Sequence, residues 1–286
     1  MKILIIGGNR FTGLQLAWNL SGNGHEVFVF NRGNHKRTLP ENVTKICGDR
    51  NDPAKLKMAL SLAEYDVVID MCAYTIDDLK ALLGALPASL PHFVFCSSLA
   101  VYDFQQGTYR KNGKGNAQQA YGYNKLLCER YLQDKLNSSL SIVRPTYVYG
   151  PNDPSGRITQ IFERISHAQS ISIHPSLSKF NTQMIFIEDV GKAMLRISEN
   201  PCPVSGQYDL AFPEPINFIE LIKKASDFQK KKIKLNFTGK PSDFPFELNS
   251  DQLINANETW AKIGYQPEYD LTKGLERTYK WWKGNA

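Results

Sequence analysis

The chain has 286 residues, 42% of them hydrophobic, which is enough to bury a sizeable core in one large or two modest domains. No apolar stretch approaches membrane-spanning length, and the first apolar run is too short for a signal peptide, so the composition excludes a membrane protein and predicts a cytoplasmic one. Five cysteines without a CxxC pair favour reduced thiols, and no metal site is predicted. The net charge of +6 is mild and suits an anionic small ligand at least as well as a nucleic acid.

The chain opens with a strand, a glycine-rich turn, a helix and a second strand within about thirty residues. Residues 2–6 are rich in isoleucine and predict a buried strand, residues 12–20 have the spacing of an amphipathic helix, and residues 26–31 predict the second strand. This order indicates a dinucleotide-binding unit, because glycines let the backbone approach a pyrophosphate and a helix N-terminus offers it free N–H groups. The predicted cofactor-binding residues of the turn are Gly7, Gly8, Asn9, Arg10, Phe11, Thr12 and Gly13.

The end of the second strand bears on the choice of cofactor. An acidic residue there would bind the adenosine ribose of NAD, but this chain has Asn31 and Arg32 at that point and Arg10 inside the glycine turn. Positive charge near the ribose suits a 2′-phosphate, so the residues favour NADP over NAD. The nearby Lys36 and Arg37 are interpreted as part of a solvated loop.

Two further strands end at the edge where a cofactor is expected to bind. Residues 43–47 predict a third strand, and Asp49 beyond it could meet the adenine amino group or serve only as a turn residue; both roles stay open. Residues 65–70 predict a fourth strand. Ligands of such sheets bind outside the carboxyl ends of the strands. The predicted cofactor-binding residues at this edge are Asp49, Arg50, Cys72 and Ala73.

A fifth strand, over residues 92–96, brings Ser98 to the same edge, and a helix with Tyr121 and Lys125 follows. Residues four apart in a helix lie on one face, so the phenol and the ammonium are neighbours. An ammonium beside a phenol stabilises the phenolate, which lets a tyrosine exchange a proton with a substrate hydroxyl or carbonyl. Taken alone, the spacing is more often that of an exposed helix face than of a catalytic pair.

Several motifs agree in order and spacing with those of the extended short-chain dehydrogenases/reductases, the NAD-dependent epimerase/dehydratase family. The motifs are Gly7-Gly-x-x-Phe-x-Gly13, Gly48-Asp49 with Asp52, Asp66-Val-Val-Ile before Ala73, Ser97-Ser98-x-x-Val-Tyr102, Tyr121-x-x-x-Lys125, Arg144-Pro145, Tyr149-Gly150-Pro151, Phe186-Ile-Glu-Asp189 and Ile263-Gly-Tyr-Gln-Pro267. The resemblance implies an α/β fold, a Rossmann-type doubly wound parallel sheet with a smaller C-terminal α/β substrate lid. It also implies catalytic roles for Ser98, Tyr121 and Lys125, with Lys125 holding the nicotinamide ribose as well.

One branch of that family shares further features with this chain. Arg10 replaces the middle glycine of the usual turn, which resembles the chloroplast stem-loop-binding proteins and their bacterial relatives. The segments Gly48-Asp-Arg50, Thr182-Gln183 and Phe244-Pro-Phe246 resemble the same branch. Some of its members bind RNA, so an RNA-binding or regulatory protein on the same scaffold is the alternative to an enzyme.

Two positions depart from the pattern of sugar-nucleotide enzymes. Tyr147 stands where those enzymes usually have an asparagine, and Gln183 lies near where many have an arginine for the nucleotide pyrophosphate. The substrate therefore stays open between a nucleotide sugar and another small molecule. Polar contacts to it could come from Arg157, His174 and Lys179.

We expect two domains. Residues 1–150, with a return segment 184–199, form the dinucleotide-binding domain, and residues 151–183 and 200–286 form a smaller substrate-binding domain. A short strand over residues 207–210 is assigned to the smaller domain. A homodimer is expected from the resemblance alone.

Basic and aromatic residues of the second half bear on the RNA alternative. The lysines within residues 230–234 are interpreted as a solvated strand edge rather than an RNA footprint. Trp260, Trp281 and Trp282 lie on predicted helices and are expected to pack rather than to stack on bases.

Two hypotheses result. In the first, an NAD(P)-dependent oxidoreductase or epimerase transfers a hydride at a hydroxyl or carbonyl carbon of a small substrate bound between the sheet edge and the lid. Ser98 and Tyr121 then contact one substrate oxygen. In the second, the chain binds RNA, supported by the net charge of +6 and by Lys111, Lys114 and the lysines of residues 230–234.

Overall fold

The computed structural model describes residues 1–34, 38–86, 92–102, 117–136, 139–200, 206–238 and 251–285. The strands are β1 (Lys2–Ile6), β2 (Glu26–Asn31), β3 (Thr44–Cys47), β4 (Val67–Asp70), β5 (His92–Cys96), β6 (Leu140–Pro145), β7 (Tyr147–Tyr149), β8 (Ser170–Ile173), β9 (Asn181–Thr182), β10 (Met184–Phe186), β11 (Gly206–Leu210), β12 (Ile216–Asn217) and β13 (Lys234–Phe237). The helices are α1 (Phe11–Gly22), α2 (Pro53–Leu60), α3 (Ile76–Leu83), α4 (Ala117–Lys135), α5 (Arg157–His167), α6 (Ser176–Lys179), α7 (Ile187–Glu199), α8 (Phe218–Phe228), α9 (Asn257–Ile263) and α10 (Leu271–Asn285), with a 3-10 turn at Leu99–Val101. Among these described helices, none combines the length and the apolar character that crossing a bilayer requires.

Seven strands form one parallel sheet in the order β11-β6-β5-β4-β1-β2-β3. The order turns at β1, which pairs with β2 on one side and with β4 on the other. That reversal is the switch point of a doubly wound sheet, and it opens a crevice at the carboxyl ends of the strands. The predicted Rossmann-type fold is confirmed.

Apolar residues cover both faces of this sheet. On one face, Leu4 and Phe30 join a buried cluster with Leu56 of α2, Leu79 of α3 and Leu132 of α4. The alternate strand residues, among them the fully buried Ile3 and Ile5, point to the other face because side chains alternate along a strand. Burial on both faces explains why these strands are continuous apolar runs rather than alternating ones.

The chain divides into two compact units, Met1–Thr146 with Val190–Leu210, and Tyr147–Asp189 with Ala211–Ala286. The expected boundaries at residues 150, 184 and 199 therefore move to residues 146, 190 and 210. The assignment of the strand over residues 207–210 to the smaller domain is wrong, because β11 pairs in parallel with β6 at the edge of the large sheet. A strand's partner lies far away in sequence, so the local pattern could identify the strand but not its sheet. The substrate-binding role of the second unit stays a prediction.

In the described part of the second unit there are three two-stranded ladders, which are β7 with β10, β8 with β13, and β9 with β12. Its helices pack through aromatic rings: Phe162 of α5 lies 5.2 Å from Tyr279 and 5.7 Å from Trp282 of α10, between ring centroids. Trp260 is fully buried, and its indole N–H donates to the Ala211 carbonyl at 3.0 Å. The predicted packing roles of Trp260 and Trp282 are confirmed, and Trp281 lies half-buried on α10.

Candidate active site

The glycine-rich turn between β1 and α1 is tightly folded against its neighbours. Gly7 adopts a positive φ of 90°, and its N–H donates to the Phe30 carbonyl at 2.9 Å. A Cβ atom on Gly7 would lie 2.8 Å from the Cys72 Sγ, and one on Gly13 would lie 2.8 Å from the Gly7 carbonyl oxygen. The glycines are required because the turn, the helix and the β4 loop approach more closely than side chains allow. Gly8 is similarly confined, with Ile5 2.9 Å from where its Cβ would be.

The N-terminus of α1 has the character of an anion-binding end. Arg10 precedes the helix in an extended conformation without a side-chain cap, and the first turn, with Phe11 and Thr12, carries no acidic residue. Phe11 has a φ of 46°, a left-handed value that costs a residue with a side chain about 1 kcal/mol or more. Asn9 is buried in the turn before it. The positive end of the helix dipole and the close glycine turn fit a dinucleotide pyrophosphate.

The end of β2 bears no carboxylate in residues 31–34. The Asn31 side chain accepts a hydrogen bond from the Gly33 N–H at 2.7 Å, which closes the turn after the strand. Arg32 and Arg10 are exposed. Lys36 and Arg37, the other basic residues considered for this region, lie outside the described residues.

Asp49 and Arg50 have different surroundings. The Asp49 carboxylate accepts the Asn51 N–H at 2.9 Å, as a turn residue does. The Arg50 guanidinium donates to both carboxylate oxygens of Asp70, at 3.0 and 2.9 Å, and to the Asp78 carbonyl at 3.0 Å. The guanidinium thus has protein partners, and the assignment of Arg50 to the cofactor stays a prediction. A bidentate carboxylate stabilises the arginine and engages both terminal nitrogens of its guanidinium.

The Arg50–Asp70 pair shapes the loop after β4. One oxygen of Asp70 also accepts the N–H groups of Cys72 and Ala73, each at 2.9 Å. The Cys72 thiol lies 3.2 Å from the Arg50 guanidinium and packs beneath Gly7. Burial, with the Asp70 charge, raises the pKa of Cys72 to about 11, so the thiol stays protonated and its role here is to pack.

Lys125 and Tyr121 project from α4 toward this loop. The Lys125 side chain is 2% exposed, and its ammonium donates to the Ala73 carbonyl at 2.8 Å and to the Cys96 carbonyl at 2.7 Å. These carbonyls lie at the ends of β4 and β5, so the ammonium is held at the carboxyl edge of the sheet. The Tyr121 ring is half-buried, with its centroid 5.9 Å from the Lys125 Nζ. The structure thus brings the predicted catalytic pair, Tyr121 and Lys125, together with Ala73, a predicted cofactor-binding residue.

Ser98 lies at the end of β5, beside Cys96. Its hydroxyl oxygen accepts the Ala100 N–H at 3.2 Å and caps the 3-10 turn that follows. The preceding Ser97 is buried and donates to Glu129 of α4 at 2.5 Å. The backbone at Ser98 is therefore tied to the same helix that carries Tyr121.

A model of the NAD dependent epimerase/dehydratase family matches residues 3–211 of the chain. The chain belongs to this family. The chloroplast stem-loop binding protein of 41 kDa b of Arabidopsis thaliana is 29% identical over 302 residues, covering 97% of this chain and 78% of that protein. The resemblance drawn from the motifs, including its stem-loop-binding branch, is confirmed.

Solved structures support the fold of this family member. An epimerase from Methanothermobacter thermautotrophicus is similar with a TM-score of 0.81 at 18% identity, covering 99% of this chain and 92% of that one. A UDP-glucose 4-epimerase of Thermus thermophilus, solved in complex with NAD, has a TM-score of 0.77 at 18% identity and full coverage of both chains, 100% each. At these identities the likeness shows a common fold.

Two residues near Lys125 were missed by reading the sequence. Glu129 lies four residues after Lys125 on α4, and Arg144 donates to its carboxylate at 2.9 and 2.5 Å. Tyr74 follows Ala73, and its ring centroid lies 5.0 Å from the Lys125 Nζ. The helical spacing from Lys125 could have indicated Glu129, and the position just beyond β4 could have indicated Tyr74.

The atypical residues of the second unit are engaged with their own unit. The Arg157 guanidinium lies 5.4 Å from the Tyr147 ring and donates to Ser155 at 2.9 Å. Gln183 is buried; its amide donates to the Pro213 carbonyl at 2.9 Å and accepts the Ile254 N–H at 2.8 Å. Gln183 thus joins two segments, which is a structural use of the amide.

Other polar residues considered for substrate contacts are local as well. The His174 ring accepts the Ser176 N–H at 3.2 Å, and Lys179 ends α6. A pocket of about 130 Å³ also lies in the second unit, between Tyr149, Met184 and Lys224. Its lining contains none of the predicted site residues among those described.

Proposed function

We propose that this chain is a nicotinamide-dinucleotide-dependent oxidoreductase or epimerase that acts at a hydroxyl or carbonyl carbon of a small substrate. The observation that carries the proposal is the Lys125 ammonium, bound to the Ala73 and Cys96 carbonyls and adjacent to the Tyr121 ring. A phenol beside a fixed positive charge at the carboxyl edge of the sheet supports the proposal, because ligands of such sheets bind outside the carboxyl ends of the strands.

In this proposal the dinucleotide is held by the glycine turn and the first turn of α1, with Asp49 and Ala73 at the neighbouring strand ends. A bound nicotinamide supplies the group that accepts or donates a hydride. The solved relative with NAD supports NAD, whereas exposed Arg10 and Arg32 and the absence of a carboxylate in residues 31–34 favour NADP. The preference for NADP is a prediction specific to this chain.

Proton transfer is assigned to Tyr121. Its phenol would exchange a proton with the substrate oxygen, and the Lys125 ammonium would stabilise the phenolate formed. Ser98 already accepts the Ala100 N–H, so its own O–H remains to donate to the same substrate oxygen. Loss of a proton from a substrate hydroxyl favours oxidation, and its return to a carbonyl oxygen favours reduction.

The substrate class proposed is a nucleotide sugar or a similar small molecule. The Thermus thermophilus relative is a UDP-glucose 4-epimerase, which supports a nucleotide sugar. Tyr147 beside Arg157 offers an aromatic ring and a cation where sugar-nucleotide enzymes usually have an asparagine. A panel of nucleotide sugars with NAD and with NADP, and of simple ketones with NADH and with NADPH, would identify the class by the change in absorbance of the reduced cofactor and by product chromatography.

The decisive variant is Tyr121→Phe, which removes the phenol and keeps the ring. We expect turnover to fall at least about a hundredfold, while the melting temperature and dinucleotide binding change little. Tyr123→Phe on the same helix is the matched control, because Tyr123 packs against Val101 and Leu126. Retained activity in Tyr121→Phe would exclude this residue as the proton-transferring group.

The second candidate function is RNA binding, and the relative named a stem-loop binding protein favours it. Lys230, Lys231, Lys232 and Lys234 are all exposed, and Lys231 also donates to the Ser166 carbonyl. Lys111 and Lys114, and the Phe244-Pro-Phe246 segment, lie outside the described residues.

A salt titration of stem-loop RNA binding separates the two functions, because phosphate contacts weaken steeply with salt. Under the enzyme proposal, affinity is weak at physiological salt, and replacing Lys230, Lys232 and Lys234 by glutamine leaves turnover unchanged. Tight RNA binding that these replacements abolish, with no turnover of any substrate in the panel, favours the second function. Light scattering in the same buffers tests the expected homodimer.

A further inference from the structure

Tyr74 lies in the loop after β4 with its backbone firmly held. Its N–H donates to the Asp78 carboxylate at 2.9 Å, and Thr75 and Asp78 form the capping box at the start of α3. The preceding Ala73 N–H is bound by Asp70 at 2.9 Å. Hydrogen bonds on both sides therefore fix the direction in which the Tyr74 side chain leaves the backbone.

That direction brings the Tyr74 ring over Lys125. The ring centroid lies 5.0 Å from the Lys125 Nζ and 6.0 Å from the centroid of the Tyr121 ring. Tyr74 is 52% exposed, whereas Lys125 beneath it is 2% exposed. One face of Tyr74 thus meets water while the other covers the ammonium.

The Lys125 ammonium is surrounded by carbonyl oxygens and aromatic rings. Two of its N–H groups donate to the Ala73 and Cys96 carbonyls, and the Phe95 ring, which is fully buried, lies 4.7 Å from Nζ. No carboxylate among the described residues lies within ion-pair distance of it. On the side of the solvent, the charge therefore faces the rings of Tyr74 and Tyr121.

The phenol of Tyr74 does not compete with Tyr121 for this charge. Burial raises the pKa of Tyr74, the Lys125 charge opposes that rise, and the neighbouring Tyr121 adds to it, so the net direction is upward. A neutral Tyr74 acts on the ammonium through the negative face of its ring, an attraction that strengthens when water is excluded.

We propose that Tyr74 is a positioning residue whose ring covers the Lys125 ammonium and so concentrates its field on Tyr121. The ring is the active part and the hydroxyl is dispensable. This inference rests on the proposed function, in which Tyr121 transfers the proton. It predicts that Tyr74→Phe leaves the shielding of the Lys125 ammonium unchanged. Any residue without an aromatic ring at this position should weaken that shielding and the effect of Lys125 on Tyr121.

The test compares Tyr74→Phe with Tyr74→Met, which has similar bulk but no ring. In protein labelled with 15N-lysine, the ammonium protons of Lys125, assigned with Lys125→Met, are followed by NMR for exchange with water. We expect the rate in Tyr74→Phe to match the unchanged chain within about twofold and the rate in Tyr74→Met to rise about tenfold. Tyr131→Met, on the same helix as Lys125, is the control for loss of a half-buried tyrosine.

A second measurement follows Tyr121 in protein labelled with 13Cζ-tyrosine. Tyr121 should ionise at higher pH in Tyr74→Met than in Tyr74→Phe, because water weakens the uncovered charge. Equal exchange rates and equal titrations in the two variants would overturn the proposal. Should Tyr74→Met melt far below the unchanged chain, Tyr74→Leu supplies the same comparison with Phe.

These measurements need neither cofactor nor substrate. A ring effect without any turnover would leave the Tyr74 proposal standing and count against the enzyme. If instead Tyr121→Phe loses turnover while Tyr74→Phe and Tyr74→Met give equal exchange rates and titrations, the enzyme proposal stands and the Tyr74 proposal is overturned.

Discussion

The first unit buries cations in two different ways. Arg144 is 2% exposed and is neutralised by Glu129, with contacts of 2.9 and 2.5 Å, and Arg50 is neutralised in the same way by Asp70. Lys125, equally buried, is held by two carbonyl oxygens and by aromatic rings. A carboxylate cancels the charge of its partner at a distance, whereas dipoles and rings stabilise a charge and leave most of its field in place.

Under the proposed function, this difference separates cations that stabilise the fold from one that takes part in the chemistry. The arginines join elements: Arg144 links β6 to α4, and Arg50 links the β3–α2 loop to β4. Lys125 also joins elements, but its uncancelled charge can act on Tyr121. Removing an arginine should therefore cost mainly stability, and removing the lysine should cost mainly function.

The largest effect on stability is expected from Arg144→Met. It leaves the Glu129 carboxylate buried without its partner, so the free energy of unfolding should fall by about 3 to 5 kcal/mol. Urea unfolding measures the change. The double variant with Glu129→Leu removes both charges and should recover most of the loss; a double variant no more stable than the single one would contradict the assignment.

Arg50→Met should lower the free energy of unfolding by about 2 to 3 kcal/mol, since the Asp70 carboxylate is fully buried but keeps two backbone donors. The dissociation constant for the dinucleotide, measured by calorimetry, should change by less than about threefold. A tenfold weaker dinucleotide complex with unchanged stability would instead support Arg50 as a cofactor contact.

Lys125→Met should affect function more than stability. Two carbonyl groups lose their donor, which costs about 1 to 3 kcal/mol of stability, while turnover and dinucleotide affinity are lost. Urea unfolding and calorimetry on the same preparation give both quantities. Lys57→Met, at an exposed position of α2, serves as the control and should leave both unchanged.

The smallest effect concerns His92, a buried base that has no carboxylate partner among the described residues. Its ring is 3.0 Å from the Ser141 hydroxyl, and burial lowers its pKa to about 4, so it stays neutral in the folded chain. The unfolded chain takes up this proton near its ordinary pKa of about 6.5. Stability contributed by neutral His92 is therefore present above that pH and is lost as the pH falls toward 4.

Between pH 6 and pH 5 this loss amounts to about 1 kcal/mol. His92→Gln should remove that part of the pH dependence in thermal unfolding across the same range. His167→Gln, at an exposed position, should leave it in place. Identical pH dependence in both variants would show that another group titrates.

The features that depend on local pattern are predictable from the sequence. The apolar runs, the glycine turn and the four-residue spacing of Tyr121 and Lys125 are local, and so the dinucleotide-binding unit and its family could be predicted. The partners of Arg50 could not, because Asp70 lies twenty positions away and any arginine after β3 has the same local appearance whether it pairs or binds a ligand. The sheet to which β11 belongs was misassigned for the same reason.

The sequence by itself determined that this chain forms a doubly wound sheet with a glycine turn between β1 and α1, since strand hydrophobicity and glycine placement act over a few residues. Only the tertiary structure decided which cation has its charge neutralised by a carboxylate and which does not. The reason is that the groups surrounding each cation come from separate segments of the chain. Asp70 neutralises Arg50, Glu129 neutralises Arg144, and the Ala73 and Cys96 carbonyls with the Tyr74 ring surround Lys125. Those neighbours meet only when the parallel strands end at one edge.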